Sequence, residues 1–323
     1  MLKRKSEFGM SKAPDSSAAP PWIELPEELT ANILQRLHAE QRLGIAQLVC
    51  SAWRRACKNP AMWRVIDLDY RRCDDVAEFD IICRCAVDRS QGQLIELKVI
   101  NLEEYSGFLN YAAERSSQLQ CLTLAWYEET ETDLTDMMKK LPQLEELHLI
   151  RMPSLTPKQF ATIGISCPKL KSFTYNQHSY EHPFCPEDED FEDFCTKHAI
   201  AIGKSMPNLR HLRLWELYMR NKGVKAILDG CPHLESLDLR RCSGVDLDEV
   251  LFNRCIERIK DLILPTDGNT SDPDLLEYPG YEDWDVITSS YLTDLCRPDW
   301  SDDGFNDDDG CGVFARSYDF KPY

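Results

Sequence analysis

The sequence predicts an α/β protein in which a small all-helical module precedes a solenoid of strand–helix repeats. Two observations support this fold class. A strand-like pattern, apolar-x-x-apolar-x-apolar, recurs every 25 or 26 residues over much of the chain. The roughly forty residues before these repeats instead carry apolar side chains at helical spacing. A period in the twenties with this strand pattern is typical of leucine-rich repeats, which form a right-handed solenoid with a curved parallel sheet and outer helices.

The helical module is predicted to span residues 22–66, after a Ser-, Ala-, Pro- and Lys-rich leader of residues 1–21 that we expect to be disordered. A first helix begins at Pro26, with acidic residues in its first turn, where the helix dipole favours them. A second helix is predicted over residues 45–56 and is ended by Asn59-Pro60. A module this small buries little surface alone, so it needs a neighbouring domain, a partner or both.

Seven segments between residues 67 and 264 carry the repeat pattern. They begin at Leu94, Leu119, Leu144, Leu170, Leu209, Leu234 and Ile259. One gap of 39 residues predicts an insertion of 13 near residues 180–195. Proline stands at an equivalent place in four of the intervening segments, where we expect each helix to end. These dipeptides are Leu141-Pro142, Cys167-Pro168, Met206-Pro207 and Cys231-Pro232.

The formal net charge of −18 belongs mostly to the tail, residues 265–323. This segment holds fifteen Asp and Glu against three Lys and Arg, a net charge of −12, and we expect it to be largely disordered. The remaining chain then carries −6, and no basic surface that would favour nucleic acid is indicated.

Without a secretory signal pattern or an apolar run of roughly 18 residues, we expect no membrane association and a location in the nucleus and/or cytoplasm. The 14 cysteines are then thiols.

Two stretches of the module resemble the F-box. LPEELTANILQRL (25–37) and LVCSAWRRACKNPAMW (48–63) are similar to that family's L-P-x-E-L opening and its V-C-x-x-W helix. With repeats that contain LDLRRC (237–242) and Cys-Pro steps, residues 22–264 resemble plant F-box/LRR proteins described as Skp-interacting partners. The resemblance implies a substrate-recognition subunit of an SCF-type (Skp–cullin–F-box) ubiquitin ligase. In such a subunit the F-box binds the Skp adaptor and the repeats bind a target protein.

The resemblance implies that the adaptor binds apolar side chains of the module. These residues are Leu25, Pro26, Leu29, Ile33, Leu37, Val49, Cys50 and Trp53. For Trp53 two interpretations stay open, module core or interface. We expect Val49, Cys50 and Trp53 to contribute to both.

Candidate target-binding residues follow from the strand pattern. In an L-x-L strand the leucines face the core and their neighbours face the concave surface. One predicted row is Lys98, Thr123, His148, Thr174, Arg213, Asp238 and Ile263, and a second is Ile100, Ala125, Ile150, Asn176, Trp215 and Arg240. Because Trp and Arg are enriched among binding hot spots, we expect target contacts at His148, Arg213, Trp215, Asp238 and Arg240. Taken singly, each also fits an ordinary solvated strand position.

The sequence contains no nucleophile-elbow, phosphate-loop or paired-histidine zinc motif, so neither catalysis nor a cofactor is expected. Cys50 and Cys57 are seven residues apart, which suits one apolar helix face better than a ligand set. The pairs His182-x-x-Cys185 and Cys195-x-x-His198 have the spacing of zinc ligands. An acidic loop followed by a repeat helix is the competing interpretation, and on balance we predict no metal there.

Two other functions remain open at this point. A stand-alone leucine-rich scaffold would use the F-box-like helices only to cap the solenoid, because a solenoid needs an end cap. A zinc-dependent interaction protein would depend on the ligand spacing near residues 182–198 alone.

Overall fold

A computed structural model of the chain describes residues 25–73, 76–101, 107–126, 131–177, 191–215 and 217–265. Eight strands form one sheet in strict chain order, every neighbouring pair is parallel, and a short helical module precedes them. The predicted α/β solenoid behind a helical module is thereby confirmed. Most of the predicted insertion, the leader and the acidic tail after residue 265 lie outside the described residues. Within the described ranges, no helix combines the length and apolar character needed to cross a membrane.

The strands are short, and each begins with the same main-chain arrangement. They are β1 Val65–Asp69, β2 Glu96–Ile100, β3 Cys121–Ala125, β4 Glu146–Met152, β5 Ser172–Gln177, β6 His211–Trp215, β7 Ser236–Asp238 and β8 Asp261–Ile263. One carbonyl before each of the strands β1 to β7 accepts two N–H groups of the next repeat. The Ile95 oxygen, for example, accepts from the amides of Gln120 at 2.9 Å and Cys121 at 3.0 Å. This recurring pair of bonds holds the repeats in register.

The helices divide into a module group and a repeat group. The module contains α1 Glu27–Leu34, α2 Ala39–Gln41, a π-helical stretch Arg42–Ala46, α3 Gln47–Val49, α4 Ser51–Lys58 and a 3-10 turn Pro60–Trp63. After β1 come a 3-10 turn Tyr70–Arg72 and the repeat helices α5 Val76–Arg89, α6 Phe108–Arg115, α7 Glu131–Met138, α8 Pro157–Ser166, α9 Phe191–Ser205, α10 Asn221–Gly230 and α11 Glu249–Arg258. Helices α8, α9 and α10 end directly before their predicted X-Pro steps. Helix α7 ends at Met138, three residues before Leu141.

One hydrophobic core runs through the module and the repeats, from Leu34 to Ile259. Strand leucines alternate into it as predicted; Leu122 and Leu124 of β3 are both buried. The Cys-Pro thiols also belong to this core. The Cys231 sulfur lies 3.4 Å from the Met206 carbonyl of the preceding repeat, and burial raises the pKa of this thiol to about 11. The cysteines of the described residues are free thiols.

Three glycines allow the repeat helices α8, α9 and α10 to approach closely. A Cβ on Gly164 would collide with Ser205 of α9, and one on Gly203 would collide with the main chain at Ala226 of α10. A Cβ on Gly230 would collide with the main chain of Gly203. Any side chain at these positions would therefore force neighbouring helices apart.

The second predicted helix of the module, residues 45–56, is not continuous. The backbone is extended at Cys50, with φ −162° and ψ 169°, and this residue ends α3 and begins α4. Val49, before the break, faces solvent, whereas Ala56 and Cys57 after it are buried. Helical periodicity treats the two segments as one apolar stripe, because spacing alone does not show where the chain changes direction.

Candidate interaction surfaces

The helical module exposes five large apolar side chains. Leu29 and Ile33 lie on α1, and Ile45, Leu48 and Val49 lie on the segment that ends with α3; all five are 38–52% exposed. We call these five residues the outer helical face. Single exposed apolar side chains are ordinary on protein surfaces, but five in one short module are typical of a surface that contacts another protein.

The two sides of α1 explain why its leucines divide between core and solvent. Thr30 and Leu34 are four residues apart and are both buried, because residues at this spacing share one helix face. Leu29 and Ile33 are also four residues apart and lie on the opposite, exposed side. Helix α4 packs against α1, α3 and the π-helical stretch Arg42–Ala46. The exposed side chains therefore belong to the segments that flank α4.

The eight predicted adaptor-binding residues occupy two kinds of position. Three belong to the outer helical face, and Pro26, which precedes α1, is also exposed. Leu25, Leu37, Cys50 and Trp53 are only partly exposed, and Leu37 and Trp53 pack against the core. Sequence reasoning left Ile45 and Leu48 out of the adaptor-binding set. It placed them on the apolar stripe of a continuous helix, and only the break at Cys50 distinguishes the two segments.

The module meets the solenoid around Trp63, because the 3-10 turn that holds this residue contacts α5 and Arg42 also reaches the Val65 carbonyl of β1 at 3.5 Å. The Trp63 side chain is fully buried, its indole Nε1 donates to the Cys57 carbonyl at 2.8 Å, and the Arg42 guanidinium lies 4.4 Å from the ring centre. Arg42 also donates to the Met62 carbonyl, and burial lowers the pKa of its guanidinium. A cation stacked on a desolvated aromatic ring stabilises this joint.

A buried carboxylate forms the second connection between module and repeats. Glu40 of α2 accepts a hydrogen bond from the Asp69 amide of β1 at 3.3 Å, and its other oxygen lies 3.7 Å from Nη1 of Arg72. Burial raises the pKa of the Glu40 carboxyl, and the charge of Arg72 opposes that shift. Because one side chain holds both a main-chain amide and a cation of the first repeat, the module is fixed relative to the solenoid.

The concave surface of the sheet contains the first predicted row in the predicted register. Thr123 lies opposite His148, His148 opposite Thr174, and Arg213 opposite Asp238. The His148 Nδ1 is 2.9 Å from the Thr174 hydroxyl. Polar side chains on neighbouring strands therefore form hydrogen bonds or ion pairs with one another along the row.

The five predicted target-binding residues differ in how much of each side chain is exposed to solvent. Trp215 is 5% exposed and Asp238 is 4% exposed, whereas His148, Arg213 and Arg240 are partly exposed. Asp238 accepts from Arg240 Nη2 at 2.6 Å and lies 3.5 Å from Nε of Arg213. The Arg240 guanidinium lies 4.3 Å from the centre of the Trp215 ring. In this arrangement Trp215 and Asp238 hold the two arginines, and the arginines and His148 form the accessible surface.

A cavity of about 330 Å³ opens beside this cluster on the concave surface. Its polar lining includes His148, Thr174, His211, Arg213, Ser236 and Asp238. His211 and Ser236 were missed by the sequence reasoning, because they stand at the first strand position rather than in the two predicted rows. The alternation of the strands places them on the same face, so that periodicity was the signal that could have identified them.

The predicted zinc pairs fall partly outside the described residues. His182 and Cys185 are not described, whereas Cys195 and His198 lie on α9 and are both buried. Burial lowers the pKa of the His198 imidazole to about 4, so this side chain is neutral at physiological pH. For Cys195 and His198 the competing interpretation was a position on a repeat helix, and α9 is such a helix.

A small module that exposes apolar side chains and caps a leucine-rich solenoid defines an interaction protein with two separate surfaces. A family model described as F-box-like matches residues 22–69. Putative F-box/LRR-repeat protein 22 of Arabidopsis thaliana is 40% identical over 248 residues, which cover 76% of this chain and 77% of that protein. F-box protein SKIP19 of the same plant is 40% identical over 266 residues, or 78% of this chain and 83% of that protein.

Putative F-box/LRR-repeat protein 23 of Arabidopsis thaliana is 42% identical over 258 residues. That alignment covers 77% of this chain and 54% of the relative, so the chain spans about half the length of this larger protein. The chain belongs to the F-box/LRR-repeat family of plants.

Proposed function

We propose that the chain is the substrate-recognition subunit of an SCF-type ubiquitin ligase. In this role the F-box binds the Skp adaptor, and the concave face of the repeats binds a target protein. The chain itself performs no chemical step, because its contribution is to hold the target close to the catalytic subunits. The proposal includes a location in the nucleus and/or cytoplasm and involves neither a membrane nor nucleic acid.

The outer helical face is the observation that carries this proposal. Other apolar side chains of the module, including Leu34 and Trp63, are buried in a core shared with the repeats. The five exposed apolar residues are therefore not needed to close the solenoid. Burying such side chains against a partner releases water from apolar surface, which is the main favourable term in protein association.

Co-purification of the full chain with the Skp adaptor tests the proposal. We expect the Leu25→Ala/Pro26→Ala double variant to lose the adaptor while its far-ultraviolet circular dichroism stays that of the unchanged chain. Ile256→Ala on α11, another exposed apolar position, is the matched control and should retain the adaptor. Reconstitution with the cullin and RING subunits should then transfer ubiquitin within the complex.

A stand-alone scaffold is the second candidate, and the joint at Trp63 and Glu40 favours it. Glu40 accepts from the Asp69 amide of β1, and the 3-10 turn that holds Trp63 contacts α5, so the module covers the first repeat as a scaffold without ligase role would require. The same co-purification distinguishes the two functions. A folded, soluble chain that never binds the Skp adaptor would support the scaffold and overturn the ligase subunit.

A further inference from the structure

Three side chains of different chemistry meet on the concave face, and one of them, His148, also lines the cavity there. Cys121 is the first residue of β3, Glu146 is the first of β4, and the two are register partners. His148 stands two residues after Glu146, so it points to the same face of the sheet. The thiol, one carboxylate oxygen and one imidazole nitrogen all lie within 4.8 Å of one another.

The imidazole of His148 is oriented by a neighbouring strand. Its Nδ1 is 2.9 Å from the Thr174 hydroxyl of β5, and its Nε2 is 3.7 Å from the Glu146 carboxylate. Metal-binding histidines commonly use one ring nitrogen for the ion and hold the other with a hydrogen-bonded partner, which fixes the ring. Thr174 is a positioning residue of this kind, and it holds the ring with Nε2 on the side of the Glu146 carboxylate.

We propose that Cys121, Glu146 and His148 bind one Zn²⁺ ion on the concave face. A thiolate, an imidazole and a carboxylate are the three ligand types that Zn²⁺ takes in proteins, at distances of about 2.0–2.3 Å. Groups already within 4.8 Å of one another need only small side-chain movements to reach those distances. Three protein ligands leave a fourth coordination position for water or for a group of the bound target. This site does not depend on adaptor binding.

The charge balance of the site makes zinc binding dependent on pH. Burial, with the negative charges of Glu96 and Glu146, raises the pKa of the Cys121 thiol to about 12, so the thiol is protonated at neutral pH. Zinc displaces this proton when the thiolate binds, and one proton is released for each ion.

Competition of Zn²⁺ against a chromophoric chelator, with the full-length chain under reducing conditions, tests the site. The Cys185→Ser chain is the parent, because it removes one thiol of the other candidate ligand pairs. We expect the parent to bind one equivalent, and Cys121→Ser or His148→Gln to weaken binding by at least about 100-fold. Thr174→Val should weaken it about tenfold, in the range found for outer partners of metal ligands. His211→Gln, a histidine of the same face outside the set, should change it less than about twofold.

Cobalt substitution shows whether the sulfur is a ligand. We expect Co²⁺ in the parent chain to give a thiolate-to-cobalt charge-transfer band that is lost in Cys121→Ser and kept in His211→Gln. Circular dichroism of each variant confirms that the repeats are folded, and His148→Gln provides a second test if Cys121→Ser unfolds. A parent chain that does not compete for zinc overturns the proposal. So does a Cys121→Ser chain with unchanged affinity or an unchanged cobalt band.

Discussion

The outer helical face and the concave face of the sheet differ in how their side chains are satisfied. The first consists of five apolar side chains that are 38–52% exposed. The second is polar, and its side chains pair across strands: Lys98 with Asp67 at 3.4 Å, and Arg213 with Asp238 at 3.5 Å. One face gains free energy whenever any complementary apolar surface covers it, whereas the other is already internally paired.

This difference indicates what each face is suited to bind. An apolar face favours a partner that stays bound, because the gain comes from removing apolar surface from water and needs little geometric precision. A target on the concave face has to replace existing ion pairs and hydrogen bonds, and leaving any of them unmatched costs free energy. Affinity is therefore expected mainly from the helical module, and selectivity mainly from the repeats.

The largest expected effect is on adaptor binding. Leu29→Glu/Leu48→Glu places one charge on each part of the outer helical face, and we expect the Skp adaptor to bind about 1,000-fold more weakly, or about 4 kcal/mol. Calorimetric titration measures this. The matched control is Val250→Glu/Ile256→Glu on α11, where the side chains are 80% and 52% exposed. Equal weakening by both double variants would mean that exposed apolar area in general, rather than this face, determines binding.

Acid should destabilise the repeats through His198. The folded-state pKa of about 4 lies below the unfolded value of 6.5, so the stabilising contribution is fully present above pH 6.5. It is lost as the pH falls toward 4, about 3 kcal/mol over that interval. Denaturant unfolding at pH 7.5 and pH 5 measures the loss, and His198→Leu should remove this part of the pH dependence. The same slope in both chains would show that other groups cause it.

Removing the Glu40 contact between the module and the repeats is expected to have an intermediate effect on stability. Glu40→Ala leaves the Asp69 amide without its acceptor and takes the carboxylate away from Arg72, at a cost of about 2 kcal/mol. We expect a lower midpoint of thermal unfolding with unchanged adaptor affinity of the folded chain. Loss of adaptor affinity at full stability would instead place Glu40 in the interface.

The smallest effect is expected from the concave face. Arg213 is partly exposed, and its ion pair with Asp238 is screened by water, so Arg213→Ala should change the free energy of unfolding by no more than about 0.5 kcal/mol. Adaptor affinity should stay within about twofold of the unchanged chain, since the residue lies outside the module. A larger change in adaptor affinity would show that the two faces are coupled.

The repeat architecture could be predicted from the sequence because it depends on local periodicity. The spacing of 25 or 26 residues places Thr123, His148 and Thr174 in one row, and the strand register agrees. Each repeat contacts mainly its neighbours, so a pattern read along the chain is also a pattern in space.

The surfaces depend on features that periodicity does not contain. Leu48 and Val49 stand directly before the extended backbone at Cys50 and are exposed, although their spacing fits a buried stripe. Trp215 and Asp238 are at concave positions of their strands, but ion pairing and ring stacking with the arginines accompany their burial. Such contacts join residues of different strands or loops, and strand alternation alone does not predict them.

Hydrogen–deuterium exchange of the full chain, with and without the Skp adaptor, tests the central claim most directly. We predict that the adaptor slows exchange in α1 and in residues 42–49, and leaves the concave strands β3 to β7 unchanged. Protection of the concave strands, or no protection of α1 and residues 42–49 at saturating adaptor, would contradict the assignment of the outer helical face as the adaptor-binding surface.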